Sequence, residues 1–107
     1  LKAAEALASE VSVEVIDPRT LVPLDVGAIV KSVEKTGRLL VVHESPARGG
    51  FGAEVVRQVV ERAFDYLETP PRVLGGASTP IPYSPPLEDA CLPQVQDVVS
   101  AVRAFMR

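Results

Sequence analysis

The side chains of this chain that could do chemistry are few, and they gather near its middle. His43 is the single histidine. It follows the apolar run Leu39-Leu40-Val41-Val42 and stands beside Glu44. Such a run reads as a strand buried on both faces, and in an open α/β sheet ligands collect outside the carboxyl ends of the strands. An imidazole there would bind a ligand or relay a proton. Hydrogen-bonded at the strand end, or packed into a subunit interface, it would do neither. Gly49-Gly50-Phe51-Gly52 follows, just ahead of a helical pattern. Free N–H groups at that helix start would hold an anion. The alternative is that the glycines allow a tight loop with positive φ and a close approach of strand and helix. The spacing is not that of the dinucleotide fingerprint G-x-G-x-x-G. Glu54, in the first turn, already favours the helix dipole and would oppose an added anion. Asp17 and Arg19 read as a surface pair, of the kind that contributes little. Cys91 is the only cysteine, with no Cys or His near it in sequence. Neither a nucleophile elbow nor a P-loop occurs. What remains is one candidate ligand or interface site, His43, Glu44, Gly49, Gly50 and Gly52, without a self-sufficient catalytic or metal-binding set.

The elements that would position this site follow from periodicity. Lys2 to Glu10 is rich in Ala and Leu and reads as a helix. Val11 to Asp17 alternates, with Val11, Val13 and Val15 on one face, and reads as a strand that Pro18 ends. Asp25 stands where an N-cap belongs, Val26, Ile29, Val30 and Val33 recur at helical spacing, and Gly37 is the stop signal. Leu39 to Val42 is the second strand. The longest helix opens at the glycine loop, with Val56, Val59, Val60, Ala63, Phe64 and Leu67 as its apolar face. Pro70-Pro71 closes it, and Val73-Leu74 supplies a short third strand. Thr79 to Pro93 holds Pro80, Pro82, Pro85, Pro86 and Pro93. That stretch is stiff, extended and unfit for a central strand. It is either a connector or a docking surface, and exposure of Tyr83 and Leu87 would favour docking. A final helix starts near Gln94, with the stripe Val95, Val98, Val99, Val102 and Phe105 or Met106. Helices and strands alternating at this spacing predict an α/β fold with a mainly parallel sheet. The opening helix has no strand feeding it, so a further strand from upstream residues is expected.

Composition narrows the classes. The chain has 107 residues, enough for one domain but not two. It is 47% hydrophobic and 23% charged, ordinary for a globular domain. The net charge of −3 comes from interspersed acids and bases, without the basic stripe that nucleic-acid binding needs. One cysteine allows no internal disulfide, which fits a reducing compartment. No apolar run approaches the ~20 residues of a membrane helix, and no signal-peptide pattern occurs. The chain begins with Leu1 rather than Met, directly in a helical pattern, and reads as a single domain, residues 1–107, cut from a longer protein with residues upstream.

The order of several motifs carries a family resemblance. Val13-Glu14-Val15-Ile16-Asp17-Pro18-Arg19-Thr20, continuing through Leu21-Val22-Pro23-Leu24-Asp25, resembles a segment of the beta subunits of thiamine-diphosphate-dependent 2-oxo acid dehydrogenases. So does Ser32-Val33-Glu34-Lys35-Thr36-Gly37-Arg38-Leu39. Val42-His43-Glu44 followed by Gly49-Gly50-Phe51-Gly52-Ala53-Glu54 is similar to a third segment, and Arg72-Val73, Thr79-Pro80-Ile81-Pro82, Leu87-Glu88 and Pro93 to the family's ending. Pro18, Ser78 and Cys91 depart from its usual Leu, Asp and Tyr.

The resemblance implies a transketolase C-terminal-domain-like, three-layer α/β/α sandwich. It implies a parent enzyme that decarboxylates a 2-oxo acid on thiamine diphosphate with Mg2+ and passes the acyl group to a lipoyl arm. The cofactor would lie between the alpha subunit and the beta subunit's other domain, so this chain alone would neither bind it nor turn over. The implied partners are a second beta subunit, the alpha subunit and the dihydrolipoyl acyltransferase core. Docking to that core is assigned to the last helix, at Val102, Phe105, Met106 and Arg107. The His43–Glu44 pair leans toward the branched-chain (2-oxoisovalerate) type. The expected location is the cytoplasm, or the mitochondrial matrix in a eukaryote. The alternatives are the C-terminal domain of a transketolase-type transferase and a free-standing anion-binding α/β module.

Overall fold

The computed structural model describes residues 1–106. Helix α1 spans Lys2–Ala6 and α2 spans Val26–Thr36. α2 begins where a carboxylate can satisfy a free donor: the Ala28 N–H donates to Asp25 Oδ1 at 3.1 Å. It ends at Gly37, whose φ of 74° only glycine adopts cheaply, and the Gly37 N–H returns to the Val33 carbonyl. Strand β1 (Leu40–Pro46) pairs in parallel with β2 (Arg72–Gly76), Leu40 opposite Arg72 and Val42 opposite Leu74. Helix α3 (Phe51–Ala63) makes the crossover between them and runs into a 3-10 turn at Phe64–Tyr66. α4 (Pro85–Cys91) and α5 (Val95–Phe105) complete the chain.

Two cores result. Ile29 and Val33 of α2 meet Val55, Val59 and Ala63 of α3, with Leu39, just ahead of β1, and Val41 of β1 packed on them. Val33 and Val59 are completely enclosed; burying such a side chain stabilises by roughly 1.5–3 kcal/mol. The second core joins Ala3 and Leu7 around α1 to Val99 of α5, with Val11, Val13, Val98 and Val102 around them. Beyond it, the Arg72 guanidinium lies 5.3 Å from the centre of the Phe105 ring, which ties α5 to β2. The arrangement is α/β, with helices packed around a parallel sheet.

Four expectations change. Val11–Asp17 is not a paired strand. It keeps the alternation, Val11 and Val13 half-buried and Ser12 and Glu14 exposed, but its backbone has no strand partner among the described residues. A strand needs a neighbour for its N–H and C=O groups, and none lies alongside. The sheet therefore has two strands rather than three. The buried stripe of α3 is Gly52, Val55, Val59 and Ala63: Val59 and Ala63 are buried as expected, whereas Val55 takes the place expected of Val56, Val60 and Phe64. α2 and the sheet fix the helix's rotation, leaving Val56 and Val60 on the flank and turning Phe64 out into the 3-10 turn, 68% exposed. Finally, the proline stretch contains a helix. Pro85 and Pro86 stand at its first positions, where a missing N–H costs nothing.

Candidate functional site

β1 and the start of α3 bring His43, Gly50 and Gly52 together. Strand alternation sends the His43 side chain inward and leaves Glu44 exposed, so the two neighbours in sequence do not act as a pair. His43 Nδ1 lies 2.8 Å from the Ser45 carbonyl oxygen and 3.1 Å from Ser45 Oγ. A carbonyl only accepts, so Nδ1 carries the proton and donates it there. Nε2 is the bare nitrogen, fully enclosed and without a hydrogen-bond partner. Its wall is glycine: a Cβ on Gly52 would stand 2.7 Å from Nε2, and one on Gly50 2.9 Å from it. The glycine loop lets α3 settle on the imidazole. Gly49, at φ 73°, makes the turn that leads into it. This packing closes Nε2 off from any ligand, and Glu54 fills the first turn of α3.

Glu54 belongs to a surface network along α3. Arg57 donates to Glu54 and, at 2.6 Å, to Glu61 Oε1, while Gln58 donates to Glu54 at 3.0 Å. The hydrogen bond from Arg57, and then that from Gln58, holds the Glu54 carboxyl down to about 2. The same ion pairs raise the Arg57 guanidinium.

The docking residues divide. Phe105 is buried under Arg72, Val102 is half-buried in the second core, and Met106 is 50% exposed. Arg107 lies outside the described residues. In the proline stretch Tyr83 is wholly exposed and Leu87 is 58% exposed, the condition that favours docking there.

Two concavities stand out among the described residues. A shallow one of about 330 Å³ lies at the carboxyl end of β2, lined by Gly75, Gly76, Cys91 and Asp97. Asp97 is already engaged, accepting the Gln94 N–H at 2.8 Å as part of a capping box. The larger is a cleft of about 920 Å³, with Val11–Ile16 on one side, Leu39–Val42 on the other and α5 across it. Periodicity gave no sign of it, because it opens where strand pairing fails. Among the described residues no group of three or more His, Cys, Asp or Glu side chains could hold a metal ion. The anchor that Mg2+ and a diphosphate need is not assembled here. Thiamine diphosphate does not fit the residues present.

The domain is thus an α/β unit built around a parallel β-α-β crossover, with its histidine sealed into packing and apolar side chains exposed at its edges. Residues 1–98 match the transketolase C-terminal domain family, and the chain belongs to that family. It is 43% identical over 102 residues to the pyruvate dehydrogenase E1 component subunit beta of Rhizobium meliloti (strain 1021), covering 95% of this chain and 22% of the relative. It is 44% identical over 104 residues to the mitochondrial subunit of that name from Dictyostelium discoideum, covering 96% and 29%. Against the mitochondrial beta-1 subunit of Arabidopsis thaliana it is 47% identical over 102 residues, covering 94% and 28%. The chain thus spans roughly a quarter of the length of these curated relatives. All three are named as pyruvate enzymes, which corrects the branched-chain lean taken from His43–Glu44. In the structure that histidine is a packing element, closed in by Gly50 and Gly52.

Proposed function

We propose that this chain is the C-terminal assembly domain of the beta subunit of a pyruvate-type 2-oxo acid dehydrogenase. The observation that carries the reading is the family match over residues 1–98, with relatives 43–47% identical along nearly the whole chain. In this reading thiamine diphosphate and Mg2+ are held elsewhere in the parent enzyme, between the alpha subunit and the rest of the beta subunit. This domain joins two beta subunits and offers a surface to the acyltransferase core. The exposed Leu21, Val22, Tyr83 and Leu87 suit the first role. Of the last-helix residues, Met106 suits the second, since Phe105 faces inward. The setting is the cytoplasm of a bacterium or the matrix of a mitochondrion. Among the described residues, no helix is long and apolar enough to cross a membrane.

The test is complementation. The domain is joined to the remainder of a bacterial pyruvate dehydrogenase beta subunit in place of that subunit's own C-terminal domain, and co-expressed with the alpha subunit. An assembled complex that turns over pyruvate is expected. The isolated chain should show no decarboxylation. Failure to assemble, or turnover by the isolated chain, would overturn the reading.

A further inference from the structure

We propose that His43 is an acid-released catch: its neutral ring holds the glycine loop and the first turn of α3 on β1, and a ring that has taken a second proton lets them go. The catch acts on this domain's own fold and does not depend on the proposed function.

The two ring nitrogens meet different surroundings. Nδ1 already donates its proton to the Ser45 carbonyl, 2.8 Å away. Nε2 is fully enclosed and has no hydrogen-bond partner. A neutral ring leaves one acceptor unmet there. An imidazolium is a donor at both nitrogens, so in the same seat it would bury a charged N–H with nothing to receive it. The glycine wall is too close for a water to slip in as acceptor, since a Cβ on Gly52 would lie 2.7 Å from Nε2 and one on Gly50 2.9 Å from it. α3, 13 residues long, sets its amino end against the ring, and the unpaired N–H groups of that end oppose a second positive charge.

The charged groups on the neighbouring elements do not answer the proton. On β1, Glu44 is exposed on the opposite face of the strand. In the loop, Arg48 is exposed and has the wrong sign. On α3, Glu54 is hydrogen-bonded by Arg57 and Gln58, and Arg57 is itself a cation. On β2, the Arg72 guanidinium lies over the Phe105 ring. Among the described residues the hydrogen-bond partners of His43 are the two oxygens of Ser45.

The way out for the ring is short. His43 is half-buried, and its Ser45 edge lies at the surface. A charged ring that swings into water vacates the space beneath Gly50 and Gly52. Phe51, packed against the first core, and Val73, in contact with the Gly52 position, then open to water. Acid thus turns a closed loop into apolar surface at the carboxyl end of β1. The direction follows from linkage. A contact that only the neutral ring makes is fully present above the range in which free imidazoles protonate, near ~6.5, and is lost as pH falls below it.

The experiment is amide hydrogen exchange by NMR on the 107-residue chain at about pH 7.5 and about pH 5.5, either side of the imidazole range. Rates are expressed as protection factors, which removes the slowing of chemical exchange by acid. The amides of Ala53 and Val55, in the first turn of α3, should lose at least about tenfold in protection at the lower pH, while Val59 in the core holds its own. His43→Phe keeps a ring against the glycines but takes no proton, and its Ala53 and Val55 should ignore the change of pH. Glu44→Gln should respond as the wild type does. If the phenylalanine is not seated, Val59 loses protection already at the higher pH, and the wild-type titration decides: the His43 ring protons and the Ala53 amide should then share one midpoint. Four results would overturn the proposal: first-turn protection that is steady between the two pH values; an acid response that survives in folded His43→Phe; ring and amide midpoints that differ; or Val59 losing protection in step with Ala53, which would be global unfolding rather than a local release.

Discussion

His43 and Gly52 occupy adjoining space, and each explains the other's residue type. A methyl group on Gly52 would stand 2.7 Å from both His43 Nε2 and Val73 Cγ1. Something must shift to admit it. Gly52→Ala should destabilise the domain by about 1–3 kcal/mol, the usual penalty of overpacking, read as a lower urea midpoint. Removing the ring as well, in His43→Ala/Gly52→Ala, should return part of that loss as a coupling of at least about 0.5 kcal/mol. Strict additivity of the two changes would mean that the imidazole is not what confines Gly52.

α3 shows how a single helix serves two masters. Its inner stripe, Gly52, Val55, Val59 and Ala63, makes the core, while its outer face carries Glu54, Arg57, Gln58 and Glu61 one turn apart. Glu54 is depressed to about 2 while its unfolded value is near ~4.3. Its contribution is therefore fully present above pH ~4.3 and fades as pH falls toward 2. The pair lies at the surface, half open to water, so salt should weaken it. An NMR titration of the Glu54 carboxyl should find the low midpoint, and Arg57→Ala should move it up toward the ordinary range. A wild-type Glu54 that titrates in the ordinary range would show that the helix-surface network does not hold in solution.

As a whole molecule the domain is unevenly finished. One core is closed between α2, α3 and the sheet, whereas the other opens onto the cleft. Around the outside, Val22 is 87% exposed, Tyr83 100% and Leu87 58%. These are side chains that an interface would cover. The chain on its own should therefore self-associate, with a light-scattering mass above that of one chain at high concentration. A strictly monomeric mass would argue against an assembly role.

The sequence by itself determined the helices with clear punctuation and the two strands that pair. Asp25 and Gly37 bound α2 because capping is a local property, carried by residues a few positions apart. The β1 run was legible because burial on both faces requires continuous apolar residues. The motif order from Val13 to Pro93 carried the family for the same kind of reason. Only the tertiary structure decided the rest. Whether Val11–Asp17 is a strand depends on a neighbour, and pairing is not encoded in the alternation of one segment. Which face of α3 is buried depends on where α2 and the sheet stand, since both Val55 and Val56 are apolar. The meeting of Glu10 with Arg103 joins residues 93 positions apart, beyond any local pattern. His43 was visible as a candidate, but its role was set by how closely Gly50 and Gly52 approach its ring, a distance that exists only once the chain has folded.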